Sequence, residues 1–228
     1  MKERLTIILC LSALISLFGV SVWGDEANFV TSTYNPAVEE GVIFEVCQAC
    51  LASEADHYEW DFDGDGLYEV TTDEVRITHI FTELGYIVIS LRVVDTHGRA
   101  LTHSKGILIG ESPLFAVREA ITEEDGVILV RVTLSAQAEV RAVGLEEFIP
   151  RGWQVEVIDP GNTISKKEGE NLYFLWMNPI YEGEMWTIIY RLYPSYGVGS
   201  PTLSGNVSGY EEEGRIRVPV GGDTVVLR

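Results

Sequence analysis

The chain has 228 residues and a formal net charge of −19, with 35 acidic against 16 basic side chains. That balance argues against a nucleic-acid partner, which needs a clustered basic surface, and against docking on anionic lipid. Hydrophobic residues at 46% and aromatics at 10% exclude a disordered chain and are enough for a core.

The N-terminus reads Met1-Lys2-Glu3-Arg4, followed by an apolar run from Leu5 to Val22 and the small-residue exit Val22-Trp23-Gly24. A basic start, an apolar stretch and small residues at −3 and −1 predict a secretory signal over residues 1–24, cut before Asp25. The alternative is a retained anchor, since about 18 apolar residues nearly span a bilayer. Cys10 lies too early for a lipoprotein cleavage site. Cleavage takes away two basic residues and one acid and leaves a charge of −20. The mature chain is expected outside the cytoplasm, secreted or at the cell surface.

From residue 29 onward strand alternation dominates, and no long helical period occurs. Val42, Phe44 and Val46 alternate with Ile43 and Glu45. Cys47-Gln48-Ala49-Cys50 follows. A redox CxxC needs a helix N-terminus to lower the thiol pKa, and only about six residues precede the next strand signal, so no helix can form there. A zinc site normally needs a second ligand pair, and His57 is the only nearby candidate. The expectation is a short disulfide, Cys47–Cys50, in an oxidising compartment.

The most chemical feature is Asp61-Phe62-Asp63-Gly64-Asp65-Gly66-Leu67-Tyr68-Glu69. Carboxylates at alternate positions of a tight loop supply several oxygens from one segment, as Ca²⁺ requires. An EF-hand would place Glu at the twelfth position, where Thr72 stands, so that reading fails. What remains is a loop between two strands, with Asp61, Asp63, Asp65, the Leu67 carbonyl and Glu69 as ligands for Ca²⁺. Against it stands the habit of Asp to hydrogen-bond its own turn. His79, beside Thr78 and Ile80 on a strand, reads as a structural histidine. His57, His97 and His103 read as solvated residues at turns or strand edges.

Ile87, Ile89, Leu91 and Val93 form the next alternating set. A boundary is expected near Gly110-Glu111-Ser112-Pro113, giving a first module at 25–110 and a second at 114–228. The linker is short, so the pair is expected to stack as a semi-rigid rod. In the second module Ile128, Val130, Val132 and Leu134 alternate, as do Trp153, Val155 and Val157, then Trp186, Ile188, Tyr190 and Leu192. One buried and one wet face per strand is the pattern of antiparallel sandwiches. Turn signals punctuate both halves, among them Asn35-Pro36, His97-Gly98, Asp159-Pro160-Gly161 and Gly221-Gly222. The second module also carries Tyr173, Phe174, Trp176, Tyr181, Trp186, Tyr190, Tyr193 and Tyr196. Trp153 and Trp186 are assigned to the core, while Tyr181, Tyr193 and Tyr196 are candidates for exposure.

Residues 28–110 resemble a PKD domain, an Ig-like sandwich of extracellular proteins. The resemblance is carried in order by Tyr34-Asn35-Pro36, Glu40-Gly41, Tyr58-Glu59-Trp60-Asp61-Phe62, Asp63-Gly64-Asp65-Gly66, Thr78-His79-Ile80-Phe81, Gly85-Tyr86-Ile87-Val88, and Leu91-Arg92-Val93-Val94-Asp95 with Gly98. The family's W-D-F-G-D-G string appears here as W-D-F-D-G-D-G, longer by one Asp. The resemblance implies a non-catalytic spacer or binding module. It also implies that Asp61 and Asp65 hold the turn, whereas the additional Asp63 and Glu69 favour a metal. Residues 114–228 resemble more loosely the Ig-like repeat domains of bacterial and archaeal surface proteins. The carrying residues are Phe148-Ile149-Pro150-Arg151-Gly152-Trp153, Glu182-Gly183-Glu184, Leu203-Ser204-Gly205-Asn206-Val207-Ser208 and Val220-Gly221-Gly222-Asp223-Thr224.

No P-loop, G-x-S-x-G or H-E-x-x-H occurs, and most acids cluster where strands end, as solvated loop tips do. The expectation is therefore an all-β protein of two tandem Ig-like β-sandwiches behind a signal peptide. It acts without catalysis as a spacer, scaffold or adhesion unit toward protein or glycan. A carbohydrate-binding accessory of a secreted hydrolase system is the alternative.

Overall fold

A computed structural model describes residues 26–224, so the signal segment at 1–24 lies outside the described residues. The protein is all-β, as the alternation predicts. The first half contributes β1 (Phe29–Thr31), β2 (Gly41–Val46), β3 (Ala55–Asp61), β4 (Val70–Thr72), β5 (Arg76–Ile80), β6 (Gly85–Asp95) and β7 (Ala100–Ile109). The second half contributes β8 (Leu114–Thr122), β9 (Ile128–Ala136), β10 (Arg141–Phe148), β11 (Trp153–Asp159), β12 (Ile164–Glu168), β13 (Asn171–Leu175), β14 (Met185–Pro194), β15 (Ser204–Glu211), β16 (Gly214–Pro219) and β17 (Gly221–Asp223). Among the described residues no helix is long and apolar enough to cross a membrane.

The alternation read from the sequence is the burial pattern observed. In β9 every second residue from Ile128 to Ala136 is buried and those between are half-buried. In β2 Val42, Phe44 and Val46 face inward. Two hydrophobic clusters result. One gathers Phe29, Val42, Phe44, Trp60, Leu91 and Ile107, and the other Ile128, Val132, Leu145, Phe174, Ile188 and Val207. In the first, Phe29 meets Trp60 edge-on at 5.1 Å and Phe44 lies 5.7 Å from it, within the favourable range for aromatic pairs. Each such side chain contributes roughly 1.5–3 kcal/mol by leaving water.

These clusters lie between three sheets. One has the order β1-β2-β5 and one the order β12-β13-β10-β15-β16. The third has nine strands, β11-β14-β9-β8-β17-β7-β6-β3-β4, and runs through both halves of the chain.

The strand that joins the halves corrects the sequence reading. Gly221-Gly222, expected as a turn, is the start of β17. It pairs parallel with β8 (Gly221 opposite Val117) and antiparallel with β7 (Gly222 opposite Gly106, Asp223 opposite Lys105). Gly-Gly-Asp has no strand propensity of its own; the pairing comes from two neighbours already in place. Gly222 has φ +81°, and a Cβ there would run into the Arg118 backbone, so only glycine lets the three strands approach this closely. The Gly110–Pro113 linker is thus not the sole tie between the halves.

A second correction concerns the Cys47–Cys50 segment. Where no helix was expected, Gln48–Cys50 makes one 3-10 turn. Three residues suffice for that geometry because its hydrogen bonds span only i to i+3.

Candidate functional site

The acidic loop leaves β3 at Asp61 and returns to β4 at Val70. Asp61 is buried, and it organises the turn: its Oδ1 accepts the Gly64 N–H at 2.6 Å and its Oδ2 the Gly66 N–H at 2.9 Å. The next two acids repeat the move at shorter range. Asp63 Oδ1 accepts the Asp65 N–H at 3.1 Å, and Asp65 Oδ1 accepts the Leu67 N–H at 2.7 Å. Glu69 reaches back, with Oε2 accepting the Phe62 N–H at 3.1 Å. Gly64, at φ +75°, turns the chain where a Cβ would stand 3.0 Å from the Val88 carbonyl oxygen.

The turn bonding expected of Asp is therefore present, and it extends to all four acids. Its consequence is convergence. One carboxylate oxygen from each of Asp61, Asp63, Asp65 and Glu69 lies within 4.8 Å of the others. Asp63, Asp65 and Glu69 are exposed and Asp61 is not. None of the ion pairs among the described residues uses these acids. Arg92 covers the Tyr68 ring at 4.6 Å but forms its ion pair with Glu59, which holds the Glu59 carboxyl below its ordinary range. Leu67, the fifth expected ligand, lies within the loop between Asp65 and Glu69, with its side chain exposed.

Beside the loop a groove of about 290 Å³ is lined by Phe62, Asp63, Glu69, His79, Phe81 and Glu83, among others. His79 is half-buried on β5. Its ring stacks on Phe62 at 4.1 Å and meets Phe81 edge-on at 4.7 Å. Burial pushes its pKa down, with Glu69 opposing. Its part is structural, as expected: an aromatic link between the loop and the core.

The Cys47–Cys50 disulfide is formed, with Cα atoms 5.4 Å apart. His57 pairs with Asp56 at 2.8 Å, and His97 lies exposed in the turn after β6.

His103 departs from the sequence reading. Expected as solvated, it is 3% exposed on β7. Its Nε2 lies 3.0 Å from Asp223 Oδ1, the oxygen that also accepts from Lys105 Nζ at 2.7 Å. Asp223 Oδ2 accepts the Ala120 N–H at 2.7 Å. Arg118 donates to the Asp223 carbonyl at 3.1 Å and grips Glu147 with two bonds of 2.7 and 2.8 Å. Tyr190 closes the network by donating to Glu147 at 2.6 Å. Burial alone would raise the Asp223 pKa, but Lys105 and His103 hold it well below the usual carboxylate range. Lys105 and Arg118 are likewise pulled down by burial and driven up further by Asp223 and Glu147. This seam was invisible in the sequence, because its members stand 118 and 120 residues apart.

The aromatics of the second half divide. Phe174 and Tyr190 are buried, while Tyr181 and Tyr196 are exposed. Tyr193 is half-buried, its hydroxyl donating to Glu156 at 2.6 Å. Trp186, assigned to the core, is only half-buried and walls a second cleft.

No family model matches the chain, and no curated protein matches it. Solved structures do. A carbohydrate-binding module of a β-sandwich superfamily is 16% identical, with 88% of this chain and 96% of that one covered and a TM-score of 0.35. The chitinase ChiA74 from Bacillus thuringiensis is 14% identical, with 75% and 26% covered and a TM-score of 0.40. A collagen adhesin from S. aureus is 7% identical, with 89% and 94% covered and a TM-score of 0.33. At these values the likenesses carry no argument about what this chain binds.

Proposed function

We propose that this chain is an exported, non-catalytic surface protein. Its first half is stabilised by Ca²⁺ at Asp61, Asp63, Asp65, the Leu67 carbonyl and Glu69, and the whole acts as a spacer or adhesion unit toward protein or glycan. The observation that carries the reading is the convergence of four carboxylates within 4.8 Å, none of them in an ion pair among the described residues. Ca²⁺ takes six to eight oxygens in flexible geometry, and a surface loop with three exposed acids leaves room for water to complete the shell. Asp61 would set the loop, since both its oxygens already hold the turn, and the later acids would supply most of the charge. The non-catalytic part is supported by the burial of the seam, where the Asp223 and Glu147 carboxylates are held away from solvent by Lys105, His103 and Arg118. Export is supported by the signal-like start and by a disulfide suited to an oxidising compartment.

The test is a thermal melt of the chain from residue 25 onward, in EDTA and in millimolar Ca²⁺, with Asp63→Asn beside it. Ca²⁺ should raise the midpoint of the wild type, because a ligand of the folded state stabilises by mass action. Asp63→Asn should lose most of that rise. Identical midpoints with and without Ca²⁺ would remove the metal from the account.

A further inference from the structure

The cleft walled by Trp186 opens at the rim of the second core. On β14 the residues Trp186, Ile188, Tyr190 and Leu192 share one face. The last three are fully buried, whereas Trp186 emerges where the strand begins and the core ends. Trp176 lies behind it, 4% exposed, with the ring centres 5.5 Å apart and the planes inclined by 24°. The Trp176 indole N–H donates to the Gly161 carbonyl at 3.1 Å, which fixes the pair to the turn after β11. The result is a rigid aromatic wall facing a cleft of about 300 Å³, the small end of the range for ligand sites.

Three further observations narrow what such a cleft accepts. None of the side chains lining it is charged, in a chain carrying 35 acids. Asn162 and Asn178 both line it, and neither amide hydrogen-bonds to another described residue, so donors and acceptors are open to a ligand. Met177 and Met185 stand at its edge, 75% and 60% exposed, adaptable apolar groups left in water. A ligand matching all of this is neutral, has an apolar face for the indole, and carries hydroxyls for the amides.

We propose that this cleft binds a neutral pyranose residue of a glycan, with one sugar face on Trp186 and its hydroxyls on Asn178 and Asn162. The proposal rests on the non-catalytic binding reading above and gives it a ligand class and a site. Aromatic rings offer large, rigid contact area against C–H faces. An uncharged lining selects against uronic or sulfated sugars, whose charge would be buried without a partner.

The experiment is calorimetric titration of the chain from residue 25 onward with cellohexaose, hexa-N-acetylchitohexaose, mannohexaose and xylohexaose, with oligogalacturonate as the anionic comparison. At least one neutral oligosaccharide should bind, and oligogalacturonate should not. Trp186→Ala should weaken binding about tenfold or more, and Trp186→Phe should restore part of it. Because Trp186 also touches the core, Asn178→Asp gives a variant that leaves the packing alone; it should weaken binding about fivefold or more by placing a charge in the lining. Binding unchanged in both Trp186→Ala and Asn178→Asp would overturn the site while leaving the binding-module reading in place. Failure of all four neutral oligosaccharides would overturn the proposal. Mass spectrometry of the titrated sugars separates the two readings, since shortened oligosaccharides would overturn the non-catalytic one whatever the variants do.

Discussion

The acidic loop at Asp61–Glu69 and the seam around Asp223 both concentrate charge, and they dispose of it in opposite ways. At the seam each carboxylate meets a cation: Asp223 has Lys105, with His103 hydrogen-bonded beside it, and Glu147 has Arg118. The group is sealed from water and its two carboxylates are fully paired, while His103 Nδ1, 3.9 Å from Glu26, has no hydrogen bond. At the loop four carboxylates, Asp61 buried and the other three exposed, meet one another, and among the described residues they accept from backbone N–H groups. Burial demands a partner for each charge, a cation at Asp223 and two backbone N–H groups at Asp61, because a lone charge in the interior is costly. Exposure tolerates an incomplete set, and that incompleteness is what a metal ion can use.

The largest effect is expected at the seam. Asp223→Ala leaves Lys105 buried without its counter-charge and should destabilise the protein by about 3–5 kcal/mol. Because β17 stitches β7 to β8, the same variant should turn one calorimetric unfolding transition into two. A single unchanged transition would show that the strand, without its side chain, holds the halves together. Replacing Lys105 and Asp223 together with Met and Leu should recover much of the loss, since apolar replacement of a buried pair is often near neutral.

The loop predicts a smaller effect with a different trigger. At a Ca²⁺ concentration a hundred times the dissociation constant, the gain is about 2.7 kcal/mol. It should vanish in EDTA, and Asp223→Ala should leave it intact. Acid separates the two regions further. The Asp223 pKa is depressed on folding, so its contribution is fully present above the unfolded value near ~3.9 and fades only as pH falls toward the folded one. An Asp223→Asn variant should therefore be less sensitive to acid than the wild type below about pH 4, measured as urea midpoints against pH. The smallest effect expected is reduction of Cys47–Cys50. The loop it closes is short, and loop-closure entropy limits the loss to about 2 kcal/mol or less. A loss much larger than that would make the disulfide a third organising centre.

How much of this was legible in the sequence follows the same division. The turn at the loop was legible, because Asp61, Asp63, Asp65 and Glu69 are neighbours in the chain and such acids bond back to their own backbone. The strands of both halves were legible because period-two burial is a local property: Ile128 to Leu134 can be read without knowing what they pack against. The seam was not. His103 and Lys105 sit at buried positions of β7, but polar side chains there look like the wet face of an edge strand until their partner is known. That partner arrives from Asp223, beyond a glycine pair that reads as a turn. Trp186 failed for the converse reason. Its position in the alternation marks the inward face, but alternation does not reveal where a strand outruns its core. Long-range pairing and the edges of packing are properties of the assembled sheets, and a one-dimensional pattern does not carry them.

The central claim is that the loop's charge is completed by a cation while the seam's is complete in itself. Calorimetric titration of Ca²⁺ into EDTA-stripped protein tests it most directly, run on the wild type, Asp63→Asn and Asp223→Ala. One ion should bind per chain in the wild type and in any folded fraction of Asp223→Ala, and binding should be strongly weakened in Asp63→Asn. No saturable heat in the wild type, or equal binding by wild type and Asp63→Asn, would contradict it.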